Sequence, residues 1–127
     1  QRKNDASAIA GGVANYISNN GGKLPESVAQ DGTDTTLLLI CGTDCKAGNK
    51  ETVKLGYYDA GSVQLVSDQT DSGLGTIDKD TLVIDAKRAC NPENTAVNDT
   101  ESSARTAALR YAVESSSSDV SQQCVEQ

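Results

Sequence analysis

The fold of this chain is organised around residues 1–25, QRKNDASAIAGGVANYISNNGGKLP. The apolar positions in this stretch step by three and four residues, the spacing that places side chains along one stripe of an α-helix. We call these six positions the apolar stripe: Ala6, Ile9, Ala10, Val13, Tyr16 and Ile17. The stretch therefore predicts an amphipathic helix that packs its stripe against the rest of the chain.

The ends of this helix also have sequence signals. Asn4 or Asp5 is expected to cap or charge the N-terminus, where unpaired N–H groups and the positive end of the helix dipole lie. Asn19-Asn20-Gly21 tolerates the left-handed conformation that ends helices, and Pro25 prevents continuation. The chain opens in mid-pattern without an initiator Met. This opening favours either an ordinary docking helix cut at an expression boundary or a helix whose upstream part was embedded in a membrane.

Composition excludes several classes of function. The chain has 127 residues, the size of one domain, and a net charge of −7. An acidic surface disfavours nucleic acid and anionic membranes, because both require basic side chains. Histidine is absent, which removes histidine-based catalysis, metal binding and pH switching. The apolar run at residues 37–41 is too short to cross a membrane.

The remaining elements are predicted from local pattern. Strands are expected at residues 35–40, 52–58, 63–66 and 80–86, with 52–58 and 63–66 forming a hairpin. The segment 26–36 is expected to be loop, with at most one helical turn after Pro25. Residues 104–114 are ambiguous, because their propensity is helical while their apolar residues alternate as in a strand.

No known catalytic or cofactor motif is complete, so we expect neither an enzyme nor a cofactor. Four aspartates in one loop are weak candidates for a calcium site, but an EF-hand is excluded because its bidentate Glu is missing. These candidates are Asp68, Asp71, Asp78 and Asp80. The alternative is a solvated acidic loop. A four-cysteine zinc site is disfavoured because Cys90 and Cys124 are too far apart to form a zinc knuckle, so disulfides are the favoured use of the four cysteines.

Both ends of the chain match a family pattern. QRKND, a short helix ending in Tyr, and SNNGGKLP open the chain, while Cys90, Arg105–Glu114, the serine run 115–118 and Cys124-Val125-Glu126 close it. This arrangement resembles type IV pilin ectodomains, in particular those of Saccharibacteria and related candidate-phyla bacteria. The middle, residues 31–69, matches only in general shape, and the usual Gly of the serine turn is missing.

The resemblance implies an α+β fold in which the N-terminal helix packs on an antiparallel sheet of about four strands, with 104–114 as a strand. It divides the pilin domain into the end of a long helix (1–20), a helix-to-sheet loop (21–50), and the sheet with a C-terminal disulfide loop (51–127). It implies that Cys90 and Cys124 are bonded. Cys41 and Cys45 then form a short bridge or remain thiols, and a more distant partner for Cys41 stays open.

The function implied by the resemblance is that of a structural subunit of a type IV pilus. Its partners are other pilin subunits and a host-cell surface, and it serves twitching motility and attachment. Its location is the cell surface, with membrane anchoring only through an N-terminal segment that the sequence lacks. The alternatives are a minor pilin, a pseudopilin of type II secretion or DNA uptake, and a small secreted disulfide-bonded binding or adhesin domain.

Overall fold

The computed structural model describes residues 2–46, 48–66, 80–90, 107–114 and 120–126. Within these ranges one helix is followed by seven strands and one short 3-10 turn between the third and fourth strands. The helix is α1 (Arg2–Asn19) and the 3-10 turn is Ala60–Ser62. The strands are β1 (Ser27–Asp31), β2 (Asp34–Cys41), β3 (Lys50–Lys54), β4 (Val63–Val66), β5 (Leu82–Ala86), β6 (Ala107–Glu114) and β7 (Val120–Glu126).

The helix forms where the spacing of apolar residues predicts it. Five members of the apolar stripe are buried and Ile17 is half-buried. The helix ends with Gly21 in the left-handed conformation at φ 67°, and the Gly22 N–H donates to the Ile17 carbonyl at 2.9 Å. This 6→1 bond satisfies a carbonyl of the last turn, as in a Schellman motif. The predicted C-terminal stop is therefore confirmed.

Gly12 lies where the helix packs tightly against β2 and β3. A Cβ atom at this position would be 2.5 Å from Val53 Cγ2 and 2.9 Å from Ile40 Cδ1. At the neighbouring Gly11, which is exposed, a Cβ would meet no atom within 4 Å. The two glycines therefore have different roles, since only the first is required by close packing.

Three antiparallel strands in the order β1-β2-β3 form the first sheet, sheet A. Gly32 takes φ 62° in the tight turn between β1 and β2. The register pairs Val28 with Ile40 and Leu38 with Val53. The inner side chains Leu38 and Ile40 of β2 are fully buried, so the central strand of sheet A supplies much of its contact with the core.

The second sheet, sheet B, has the order β4-β5-β6-β7. β4 and β5 pair in parallel, whereas β5–β6 and β6–β7 are antiparallel. Ile84 of β5 lies opposite Leu109 of β6, and both are fully buried. The helix contacts β2 and β3 of sheet A and β6 and β7 of sheet B. One continuous apolar core therefore joins α1 to both sheets.

The α+β class with an N-terminal helix is confirmed, but the expectation of one antiparallel sheet of about four strands is wrong. The strands divide into sheets of three and four, and one pair is parallel. The predicted hairpin is also wrong, because β3 pairs with β2 and β4 pairs with β5. Residues 59–62, which resemble a hairpin turn in sequence, instead lead through the 3-10 turn into the other sheet.

Two local predictions differ in outcome. Segment 26–36 is predicted to be loop, but it contains β1. The longer segment 21–50, predicted to connect the helix to the sheet, contains both β1 and β2. The sequence of β1, SVAQD, has little apolar alternation, and the strand is held by its pairing with β2. The segment that its local pattern left ambiguous is a strand over Ala107–Glu114, as the resemblance implied.

Candidate functional site

The side chain of Asp5 fixes the N-terminal half of α1 to the turn that follows β3. Its carboxylate is buried and accepts three backbone N–H bonds, from Gly56 at 2.7 Å, Tyr57 at 2.7 Å and Tyr58 at 2.9 Å. Asp5 lies in the first turn of the helix, as predicted for a charge near the helix N-terminus, but it is not the N-cap, and its carboxylate accepts hydrogen bonds from a turn distant in sequence. Hydrogen bonds to an ionised acceptor are about twice as strong as neutral ones.

The C-terminal end of α1 is fixed to sheet A by polar side chains. Asn19 Nδ2 donates to Glu51 Oε2 at 3.0 Å, and Asn49 Nδ2 donates to Asn20 Oδ1 at 3.2 Å. Burial raises the pKa of the Tyr16 phenol, and the negative charge of Glu26 raises it further. Hydrogen bonds thus hold the helix at both ends, and its outer face, which points away from the sheets, remains exposed.

That outer face carries small and polar side chains. A group of exposed positions lies opposite the apolar stripe: Ser7, Ala8, Gly11, Asn15 and Ser18. Small side chains allow another helix to approach closely, because little volume separates the two backbones. The surface of α1 that faces away from the core is therefore suited to helix packing.

Both disulfides are present in the structure. Cys41 is bonded to Cys45 across four positions, and Cys90 to Cys124 across thirty-four. We call them the short and the long disulfide. The short one closes the turn after β2, where Ser27 Oγ donates to the Gly42 carbonyl at 2.6 Å. The long one ties the segment after β5 to β7 and packs on Ala108 of the central strand β6.

A buried ion pair lies on the face of sheet B away from the helix. Arg110 of β6 donates to Asp85 of β5 through Nε at 2.5 Å and Nη2 at 3.1 Å. Both side chains are almost fully buried. Burial raises the pKa of the Asp85 carboxyl, and the nearby Arg110 and Arg88 guanidinium groups oppose that shift. The pair links the neighbouring strands β5 and β6, so we interpret it as a structural contact.

A cleft of about 450 Å³ opens beside the turn that Asp5 holds. Among the described residues it is lined by two tyrosines, two aspartates and one serine: Tyr57, Tyr58, Asp59, Ser62 and Asp80. The two tyrosine rings pack edge to face with centroids 5.2 Å apart. Tyr57 Oη donates to Asp80 Oδ1 at 2.7 Å, which connects the turn to the start of the β5 segment.

The calcium hypothesis receives no support from the part of the chain that is described. Asp68, Asp71 and Asp78 lie outside the described residues, and Asp80 accepts the Tyr57 hydroxyl. Within the described ranges no group of three or more potential metal-binding side chains occurs. In the same ranges no helix is long and apolar enough to cross a membrane.

Three residues that line the cleft were not predicted as site residues from the sequence. Tyr57 was assigned to a strand and Asp59 to a hairpin turn, whereas both line the cleft with Ser62. The signal in the sequence was the adjacent pair Tyr57-Tyr58 in a chain with only four aromatic residues; the structure exposes Tyr57 and buries Tyr58. The hydrogen bonds that Asp5 accepts have no local signal in the sequence, because they span more than fifty positions.

Comparisons with known proteins do not extend this description. No family model, no curated protein and no solved structure matches the chain. Its function must therefore be argued from its own residues and their arrangement.

Proposed function

We propose that this chain is a structural subunit of a type IV pilus, which assembles into surface filaments for twitching motility and attachment. The observation that carries the proposal is the two-sided helix α1. One side bears the apolar stripe and is buried against both sheets. The other side exposes small residues along much of its length, which suits packing against helices of neighbouring subunits.

Two further features support the proposal. The long disulfide stabilises the C-terminal region in the position that the resemblance to pilins implies. Disulfides also persist in oxidising compartments and are rare in the cytosol, which agrees with an exported protein on the cell surface. A pilin-like arrangement of the helix over the sheets is part of this proposal, and the division into two sheets is its main departure from the expected fold.

Isolated filaments provide the test. Filaments sheared from the surface of the source cells are purified and their protein content is quantified by mass spectrometry. The proposal predicts that this chain forms most of the filament mass. A trace amount in the filaments would favour a minor pilin, and absence from them with secretion into the medium would contradict the proposal.

A second candidate function is that of a secreted disulfide-bonded binding domain. The observation that favours it is the cleft beside Tyr57, whose aromatic and acidic lining can contact a ligand. The filament experiment separates the two candidates, because a binding domain of this kind is found as a soluble monomer. Neither candidate requires a catalytic group.

A further inference from the structure

We propose that the cleft beside Tyr57 is a binding site for an organic cation, that is, an alkylammonium or guanidinium group such as a lysine or arginine side chain carries. This site is separate from the helix face on which the filament proposal rests. It would function equally in a filament subunit and in a secreted domain.

The shape and size of the cleft fit a side-chain-sized ligand. Its volume of about 450 Å³ falls within the range of small-molecule sites, roughly 300–1,000 Å³. Tyr57 is 39 % exposed, unlike the other large hydrophobic side chains in the described part of the chain, which are buried or half-buried. The Tyr57 ring is therefore partly exposed where it lines the cleft, and aromatic rings attract cations within about 6 Å of the ring centre.

The charge of the cleft favours a cation over a neutral ligand. Asp59 and Asp80 bring two carboxylates to its lining, and the described lining contains no lysine or arginine. Asp59 is exposed and does not use its side chain to cap the 3-10 turn that follows it. Asp80 has one carboxylate oxygen bonded to the Tyr57 hydroxyl. A bound cation would compensate this negative charge, whereas a neutral sugar would not.

The type of cation follows from the mixture of an aromatic ring with carboxylates. A hard metal ion such as calcium requires six to eight oxygen ligands, and the described residues contain no cluster of three potential metal-binding side chains. An organic cation needs fewer contacts, since its charge is spread and it gains from the ring. The combination of Tyr57 with Asp59 and Asp80 therefore suits an ammonium or guanidinium group.

The site is also held in place before a ligand arrives. The three N–H bonds from Gly56, Tyr57 and Tyr58 to Asp5 fix the backbone that carries the aromatic pair. The Tyr57 hydroxyl bond to Asp80 fixes the ring against the acidic side of the cleft. Preorganisation of this kind reduces the entropy that is lost on binding.

The test is an NMR titration of the ¹⁵N-labelled domain. The probes are N-acetyl-lysine methylamide, N-acetyl-arginine methylamide, a short peptide containing both residues, and putrescine. Maltose and calcium chloride are the comparison ligands. We expect saturable amide shifts confined to residues 57–62 and 80 with the cationic probes. A stronger response to the peptide than to putrescine would identify a protein source for the cation, and the reverse would identify a free polyamine.

Matched variants locate the binding. Asp80→Asn and Tyr57→Leu are each expected to weaken binding at least tenfold, whereas Tyr57→Phe keeps the ring and should weaken it less than threefold. Asp34→Asn removes the same charge from an exposed aspartate on sheet A and should leave binding unchanged. Unperturbed shifts elsewhere in each spectrum establish that the variant is folded.

Three results would overturn the proposal. The first is the absence of saturable shifts at millimolar concentrations of every cationic probe. The second is an equal effect of Asp34→Asn and Asp80→Asn, which would indicate diffuse attraction to an acidic surface. The third is a response of the same amides to maltose or calcium that exceeds the response to the organic cations.

Discussion

The close packing of Gly12 against sheet A can be tested by substitution. We consider Ala at each of the two adjacent glycines. At the exposed Gly11 a methyl group meets nothing within 4 Å, so Gly11→Ala should stabilise the domain by about 1 kcal/mol through helix propensity alone. At Gly12 the methyl carbon would lie 2.5 Å from Val53 Cγ2, far inside the usual carbon–carbon separation of about 3.5–4.0 Å.

The clash at Gly12 cannot be relieved easily. Val53 is buried, and a β-branched side chain has a restricted χ1 angle. Overpacking of this kind costs about 1–3 kcal/mol, against a propensity gain of about 1 kcal/mol. The net effect of Gly12→Ala is therefore a loss of about 0–2 kcal/mol, and the two variants should differ by roughly 1–3 kcal/mol.

Thermal and urea unfolding of both variants measure this difference. For a domain of this size about 1 kcal/mol corresponds to roughly 4 °C in Tm, so we expect the variants to be separated by about 4–12 °C. Val53→Ala removes the clashing atom, and the double variant with Gly12→Ala should lose less stability than the two single losses combined. Equal stabilisation by both Gly→Ala changes, or strict additivity in the double variant, would refute the packing of α1 on β3.

Three further predictions concern the groups that hold the fold together. Replacing Cys90 and Cys124 by Ser should lower the free energy of unfolding by about 4 kcal/mol, and replacing the cysteines of the short disulfide should lower it by about 2 kcal/mol. The difference arises because the longer loop constrains the unfolded chain more, and urea unfolding of the two variants tests which loss is larger. Asp5→Asn should destabilise the domain by about 2–3 kcal/mol because the buried charged acceptor of three backbone N–H groups is lost; thermal unfolding detects this loss, and an unchanged Tm would contradict the role of Asp5 in holding the turn after β3. The raised pKa of Tyr16 means that its stabilising contribution is complete below its unfolded pKa of 10.0 and is lost as the pH rises through the folded value. Tyr16→Phe should therefore make the fall of Tm above pH 10.0 shallower, and an identical slope would contradict this assignment.

The helix was predictable because its signals are local. The apolar stripe repeats with the helical period, and the Gly21 stop needs only the identity of nearby residues. The strands β4 and β5 were also predictable from β-branched residues over short windows, whereas the local pattern of β6 left helix and strand both open. In each case the property that decides the structure lies within about ten neighbouring residues.

The division into two sheets was not predictable in the same way. Strand pairing depends on contacts between distant segments, and the turn at residues 59–62 has a composition that suits either a hairpin or a crossing between sheets. The edge strand β1 has a weak apolar pattern because its side chains are only half-buried. The sequence therefore indicated the class of fold but not the strand order.

The candidate sites show the same limit. The Cys90–Cys124 bond followed from a resemblance that covers both ends of the chain and is found, whereas the Cys41–Cys45 bond was one of several alternatives that the sequence left open. The cleft required knowledge of three segments at once, namely the helix start, the turn after β3 and the start of the β5 segment. No local pattern in the sequence connects Asp5, Tyr57 and Asp80.

The central claim is that the exposed face of α1 lies against neighbouring subunits in a filament. The most direct measurement introduces a cysteine at Gly11 and compares its rate of reaction with a maleimide in the isolated domain and in purified filaments. Thr33→Cys, in the exposed turn between β1 and β2, reports whether the reagent reaches the filament. Our account predicts that Gly11→Cys reacts readily in the isolated domain and at least tenfold more slowly in filaments, whereas equal rates in both would contradict it.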